Sequence, residues 1–150
     1  MYISAAEYLQ EIRAGFITLH NRQRDLKNLE SMLEAKAITY NPDRINTTPR
    51  KDGLEELALK HLKKRDQILT EIDKILAFLY QRIDEASQYI SEMDSEDQQE
   101  VLRLRYLQQR SWSEILEIRE CDDISSQYKI HKRALESLQR ILNNHCMTIE

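Results

Sequence analysis

Metal centres, nucleophiles and phosphate loops each demand particular residue types at particular spacings, and few of these spacings occur in this 150-residue chain. Cys121, Asp122, Asp123, His145 and Cys146 are of metal-ligating types, but they lack the paired C-x-x-C or H-x-x-x-H steps of a zinc centre, so no metal site is assigned. His20 and His61 fall within helical patterns with no nucleophile motif beside them. There is no Gly-rich phosphate loop and no H-E-x-x-H, and no catalytic residue or cofactor follows. The chain instead offers a basic and aromatic set near its C-terminus. On a 100°-per-residue wheel Ser125, Tyr128, Lys129 and Lys132 share one side, with Arg133 at its flank, opposite Ile130, Ala134, Leu138 and Ile141. Such a face can meet DNA, and Ser111, at a helix start with Arg110 beside it, can offer free backbone N–H groups to a phosphate.

The elements that position these residues are helices. Only 2 Gly and 2 Pro occur, 32% of residues are charged, and the apolar residues are mostly Leu and Ile. Three of the four Gly and Pro lie between Pro42 and Gly53, a stretch through which helix is not expected to run. Before it, Ser4 and Glu7 have capping-box spacing, and Leu9, Ile12, Phe16, Leu19, Leu26 and Leu33 mark a first helix from about Ala5 to Ala37. Gly15 inside that helix marks either a close neighbour or a tolerated surface position. After it, an apolar face runs from Leu54 to Met93, roughly 60 Å of helix at ~1.5 Å per residue. The fold class expected is all-α: a long antiparallel, coiled-coil-like hairpin over residues 1–94, with a linker at about 38–53, then a small three-helix domain over 95–150. The wide apolar face of the hairpin predicts self-association or cover from the C-terminal domain.

Three short helices complete the chain. Ser95 and Gln98 open the first, from about Glu96 to Leu107; Ser111 and Glu114 open the second, from about Trp112 to Arg119; Asp123 or Ser125 caps the third. Arg105 is expected to be structural, pairing with Glu114 across the contact of the first two, with Trp112 and Tyr106 as core or rim plugs. A tight turn between the second and third fits a helix-turn-helix unit.

The run Val101-Leu102-Arg103-Leu104-Arg105-Tyr106-Leu107, then Ser111-Trp112-Ser113-Glu114-Ile115-Leu116 and Lys132-Arg133-Ala134-Leu135, resembles the fourth region of bacterial sigma factors. More closely, it resembles the small sigma-factor-like proteins of phages and prophages of Gram-positive bacteria, many of which are regarded as late-gene transcription regulators. Ala6-Glu7-Tyr8-Leu9-Gln10-Glu11-Ile12 resembles that group's N-terminus, and Ile45-Asn46-Thr47-Thr48-Pro49-Arg50-Lys51-Asp52 its mid-chain linker. The resemblance implies a DNA-binding regulator in a bacterial cytoplasm, its last helix in the major groove of promoter DNA and its N-terminal helices contacting RNA polymerase or a second copy. Ser125, Tyr128, Lys129, Lys132, Arg133, Arg110 and Ser111 are then the DNA-contacting residues, with Lys and Arg donating to guanine edges and phosphates.

Four positions depart from the pattern: Leu116 where a small residue is usual, no Gly in Glu120-Cys121-Asp122-Asp123, Gln127 on the core side of the last helix, and an acidic pair, Asp122 and Asp123, near the DNA face. The net charge of −4 likewise argues against a protein that simply coats nucleic acid. An adaptor whose degenerate helix-turn-helix binds protein is the alternative. No basic n-region and no apolar run of ~20 residues is present, so neither a signal peptide nor a membrane span is expected, and the two cysteines make no disulfide framework.

Overall fold

The computed structural model describes residues 3–39 and 51–148. Five α-helices and one π-turn account for the secondary structure, and no strand occurs among the described residues: α1 (Ala5–Thr39), α2 (Lys51–Ser91), α3 (Glu96–Leu102), the π-turn Arg103–Leu107, α4 (Trp112–Ile118) and α5 (Ile124–Thr148). The expected linker lies largely outside the described residues. Its last three positions, Lys51, Asp52 and Gly53, are helical where an interruption was expected. They form the first turn of α2, where backbone N–H groups have no intrahelical partner and a Gly costs less than in a helix interior.

Two compact units divide the chain, residues 1–17 with 78–150, and residues 18–77. In the first, α1 and α2 meet in antiparallel order. The Tyr8 hydroxyl donates to Glu85 Oε1 at 2.7 Å, Arg82 faces Glu11 at 3.7 Å, and Gly15 lies against Leu79. A Cβ built on Gly15 would sit 2.8 Å from Leu79 Cδ2, so this glycine marks a close approach of two helices. Burial, and then the Glu85 carboxylate, push the Tyr8 phenol well above its usual range, so it remains a donor.

The capping box at the start of α1 is reciprocal: Glu7 N donates to Ser4 Oγ at 3.1 Å and Ser4 N to Glu7 Oε2 at 3.2 Å. The neighbouring Ala5 N–H donates to Gln139 Oε1 on α5, so the first turn of α1 is tied to the last helix of the chain. Leu9, Ile12, Ile90, Val101, Leu102, Ile115, Ala134 and Leu138 are fully buried and form the core that α1 to α5 share in this unit. Arg103 completes the join, donating to Ser87 Oγ and Ser91 Oγ of α2 at 2.8 Å each.

In the second unit Leu19, Leu29, Ile68 and Ile72 are buried, and Arg22 of α1 faces Glu71 of α2 at 3.7 Å. Leu59, Leu62 and Leu69 remain exposed on α2. No helix among the described residues is long and apolar enough to cross a membrane.

Candidate nucleic-acid interface

Helix was expected to continue to Leu107, but regular α-helix ends at Leu102 and the backbone widens into the π-turn, closed by a 2.9 Å bond from Gln108 N to Arg103 O. The turn ends with Gln109 at φ 58° and a 2.8 Å bond from Arg110 N to Leu104 O. Leu104 and Tyr106 are buried by it.

This geometry gives Arg105 a different partner from the one expected. Its guanidinium donates to the Arg110 carbonyl at 3.2 Å and lies over the Trp112 ring, 5.1 Å from the centroid. Glu114 pairs instead with Arg110, four residues earlier, at 3.2 Å. The Arg105–Glu114 pair is therefore corrected: the widened turn carries Arg105 onto the indole, and Glu114 closes on its own helix start. There Glu114 N donates to Ser111 Oγ at 3.3 Å, so Ser111 is the N-cap of α4.

Trp112 is half-buried at the centre of an aromatic cluster. Its ring meets His131 edge-on at 5.2 Å and Tyr128 edge-on at 4.9 Å. His131 stacks on Tyr106 at 5.7 Å, and its Nε2 lies 2.8 Å from the Tyr106 hydroxyl. Burial, then the nearby Arg105 charge, hold the His131 imidazole below its ordinary pKa of 6.5. The cluster fixes the α4 N-terminus against the N-terminal half of α5.

From that platform the other expected residues face outward. Ser125, Tyr128, Lys129, Lys132 and Arg133 are all exposed on α5, and Arg110 and Ser111 are exposed at the start of α4. Tyr128 has one ring edge on Trp112 and is 47% exposed, which leaves a substantial part of its surface for a ligand. Opposite them, Ala134 and Leu138 are fully buried, and Ile130 and Ile141 half-buried, as the wheel requires. The Lys129, Lys132 and Arg133 side chains make no ion pair among the described residues, whereas Arg110 is neutralised by Glu114.

The turn that precedes α5 is regular despite having no glycine. Cys121 N donates to Leu116 O at 2.9 Å and Glu120 N to Glu117 O at 3.2 Å, the two bonds of a Schellman closure. Glu120, at φ 53°, takes the left-handed position that glycine usually fills. Asp123 then caps α5, accepting from Ser125 N at 3.0 Å. Its charge complements the helix dipole, which accounts for one member of the acidic pair.

Arg119, which sequence reasoning passed over as a helix terminus, is the most tightly held cation in this region. Its side chain is only 9% exposed. Nε donates to Gln127 Oε1 at 2.8 Å, Nη2 to Asp97 Oδ1 at 3.0 Å, and Nη1 to Glu100. Gln127 is thereby satisfied although buried, and the knot joins α3, the end of α4 and α5. A glutamine at a core position was the one signal in the sequence that a buried polar partner had to exist.

The metal-ligating types are dispersed. Cys121 donates from Sγ to Asp123 O, His145 pairs with Glu92 at 2.9 Å, and no cluster able to hold a metal occurs among the described residues. His20 is exposed and His61 is buried. Comparison of the chain with known protein families, curated proteins and solved structures gives no match.

Proposed function

We propose that this chain is a DNA-binding transcription regulator of phage or prophage genes, in which a long helical hairpin carries a sigma region-four-like helix-turn-helix made of α3, α4 and α5. The observation that carries this reading is the outer face of α5. Ser125, Tyr128, Lys129, Lys132 and Arg133 are exposed together, and the Trp112–Tyr128 contact holds the exposed α4 N-terminus beside them. An unneutralised basic face on a helix fixed at its N-terminal half is what docking into a major groove requires: Lys and Arg reach phosphates and guanine edges, and Tyr128 reaches a thymine methyl. Ser111 and the first backbone N–H groups of α4 then meet the flanking phosphate. The motif resemblance around Arg105-Tyr106 and Trp112-Ser113-Glu114-Ile115 supplies the regulatory role and RNA polymerase as a partner. Self-association falls to the N-terminal helices, where Leu59, Leu62 and Leu69 expose apolar surface.

The test is equilibrium binding to duplexes tiling phage late-promoter DNA, compared with the Lys129→Ala/Lys132→Ala double variant. Loss of two phosphate contacts predicts affinity reduced at least tenfold at 0.1 M salt. Equal binding by both proteins, or binding by neither, would reject the proposal.

One feature favours the adaptor reading in which this module binds protein: Asp122 and Asp123 are both exposed at the edge of the same face. An adaptor would tolerate Lys129→Glu without loss of its partner.

A further inference from the structure

A half-open cavity of about 170 Å³ lies where the start of α1, the end of α2 and the end of α5 meet, within the first compact unit. Ile3, Tyr8, Glu85, Tyr89, Leu142 and His145 line it, with Cys146 beside them. Three of these carry rings in mutual contact: the Tyr8 and Tyr89 centroids are 6.1 Å apart and those of Tyr89 and His145 4.9 Å, tilted in both cases. Bonds at two edges fix the set. The Tyr8 hydroxyl donates to Glu85 Oε1, and His145 Nε2 meets both carboxylate oxygens of Glu92, at 3.0 and 2.9 Å.

Among the described residues the wall carries one carboxylate and no Lys or Arg. Both contacts of Glu85, with the Tyr8 hydroxyl and with Arg82 at 3.8 Å, fall on Oε1, so Oε2 has no hydrogen bond among the described residues. Arg82 does not line the cavity but lies over the Tyr8 ring, 5.5 Å from its centroid, so one ring of this set already holds a guanidinium. A neutral apolar guest would dry the Glu85 carboxylate without answering it. A guest with an aliphatic stem and a cationic end answers both the rings and the charge. The volume sets its size: a cavity of roughly 150 Å³ takes one benzene ring, and drug-sized ligands occupy roughly 300 Å³ or more, so the space suits a single side chain.

We propose that this cavity binds an alkylammonium group, its methylenes against the Tyr8 and Tyr89 rings and Leu142, its N–H donors on the Glu85 carboxylate. The site is separate from the α5 face assigned to DNA: His145 lies thirteen residues beyond Lys132 on the same helix, about 20 Å along its axis. It therefore does not rest on the DNA-binding reading. A lysine side chain of a partner protein and a free aliphatic amine present the same group, and the experiment separates them.

The full chain is titrated with n-butylammonium, with n-butanol as its neutral counterpart, and with Nα-acetyl-lysine N-methylamide as a lysine held within a chain, following backbone amide shifts by NMR. Saturable shifts at Tyr8, Tyr89 and His145 are expected with butylammonium, and butanol should bind about fivefold more weakly or worse. Binding of the lysine derivative as tight as that of butylammonium assigns the site to a partner's side chain; binding of butylammonium alone assigns it to a free amine. Glu85→Gln keeps an acceptor for the Tyr8 hydroxyl but removes the charge, and should weaken butylammonium binding roughly three- to tenfold. Thermal melting checks that the variant folds, and the butanol comparison needs no variant. A filled cavity should also slow alkylation of Cys146 by iodoacetamide, while Cys121, which does not line it, reacts at its usual rate. Equal binding of butanol and butylammonium, undiminished binding by folded Glu85→Gln, or no shift at these three residues overturns the proposal.

Discussion

The two ends of α4 handle positive charge in opposite ways. At its C-terminal end Arg119 is largely covered and tied to Asp97, Glu100 and Gln127, so that each nitrogen of its guanidinium has a partner within the protein. At its N-terminal end Arg105 rests on Trp112 with no carboxylate partner among the described residues, and Lys129 and Lys132 lie exposed beyond Tyr128. A charge satisfied internally holds helices together; a charge left unanswered beside a rigid aromatic platform is available to a ligand. Only seven residues of helix separate the two arrangements.

This contrast predicts that substitutions at the two ends separate stability from binding. The largest expected loss of stability is at the closed end. Arg119→Ala strands the buried Gln127 carbonyl and removes the links to α3, costing about 2–3 kcal/mol in denaturant unfolding, because a buried polar group left unsatisfied carries its full desolvation penalty. Its carboxylate partners are 71% and 48% exposed, which keeps the loss below that of a fully buried ion pair. Lys129→Ala/Lys132→Ala, at the open end, should leave the unfolding midpoint within about 0.5 kcal/mol of the parent while reducing duplex affinity.

A smaller effect, of opposite sign, is expected in the turn between α4 and α5. Glu120 holds a left-handed conformation that costs a side-chain-bearing residue roughly 1–2 kcal/mol, so Glu120→Gly should raise stability by about 1 kcal/mol. A decrease on chemical denaturation would show that the Glu120 side chain contributes more than its backbone strain costs.

The smallest effect is a pH dependence at the aromatic platform. His131 is held neutral by burial, and then by Arg105, so its folded pKa lies below its unfolded one. As pH falls below about 6.5 the unfolded chain takes up a proton that the folded chain resists, and stability declines. Melting between pH 7 and pH 5 should show this decline, and His131→Gln should reduce it. A slope unchanged by the substitution would place the titration elsewhere.

Much of this organisation was legible because it is local. Ser4 and Glu7 make both halves of the expected capping box, Ser95 and Ser111 accept from Gln98 N and Glu114 N as their spacing requires, and the wheel for α5 separates Ala134 and Leu138 from Lys129 and Lys132. The π-turn was not legible, since a reading at 100° per residue loses phase once the backbone widens, and that is why Arg105 was assigned to Glu114. Gln98 shows the limit of local rules: its side chain accepts from Ser137 on α5 at 2.9 Å. The Arg119 knot joins residues 19 and 22 positions apart, a separation at which the chain pattern carries no register. His131 was missed for the same reason, its partners Tyr106 and Trp112 lying on other elements.

Trp112 is the only tryptophan, so its fluorescence reports on the platform itself: DNA seated beside Tyr128 should change its emission, and the Arg119 side should remain silent. The most direct test of the contrast is an NMR titration of the chain with a binding duplex, following each backbone amide. The largest shifts are expected at Ser125, Tyr128, Lys129, Lys132 and Ser111, with Asp97, Glu100 and Arg119 nearly unmoved. Shifts centred on the Arg119 knot, or none on α5, would contradict it.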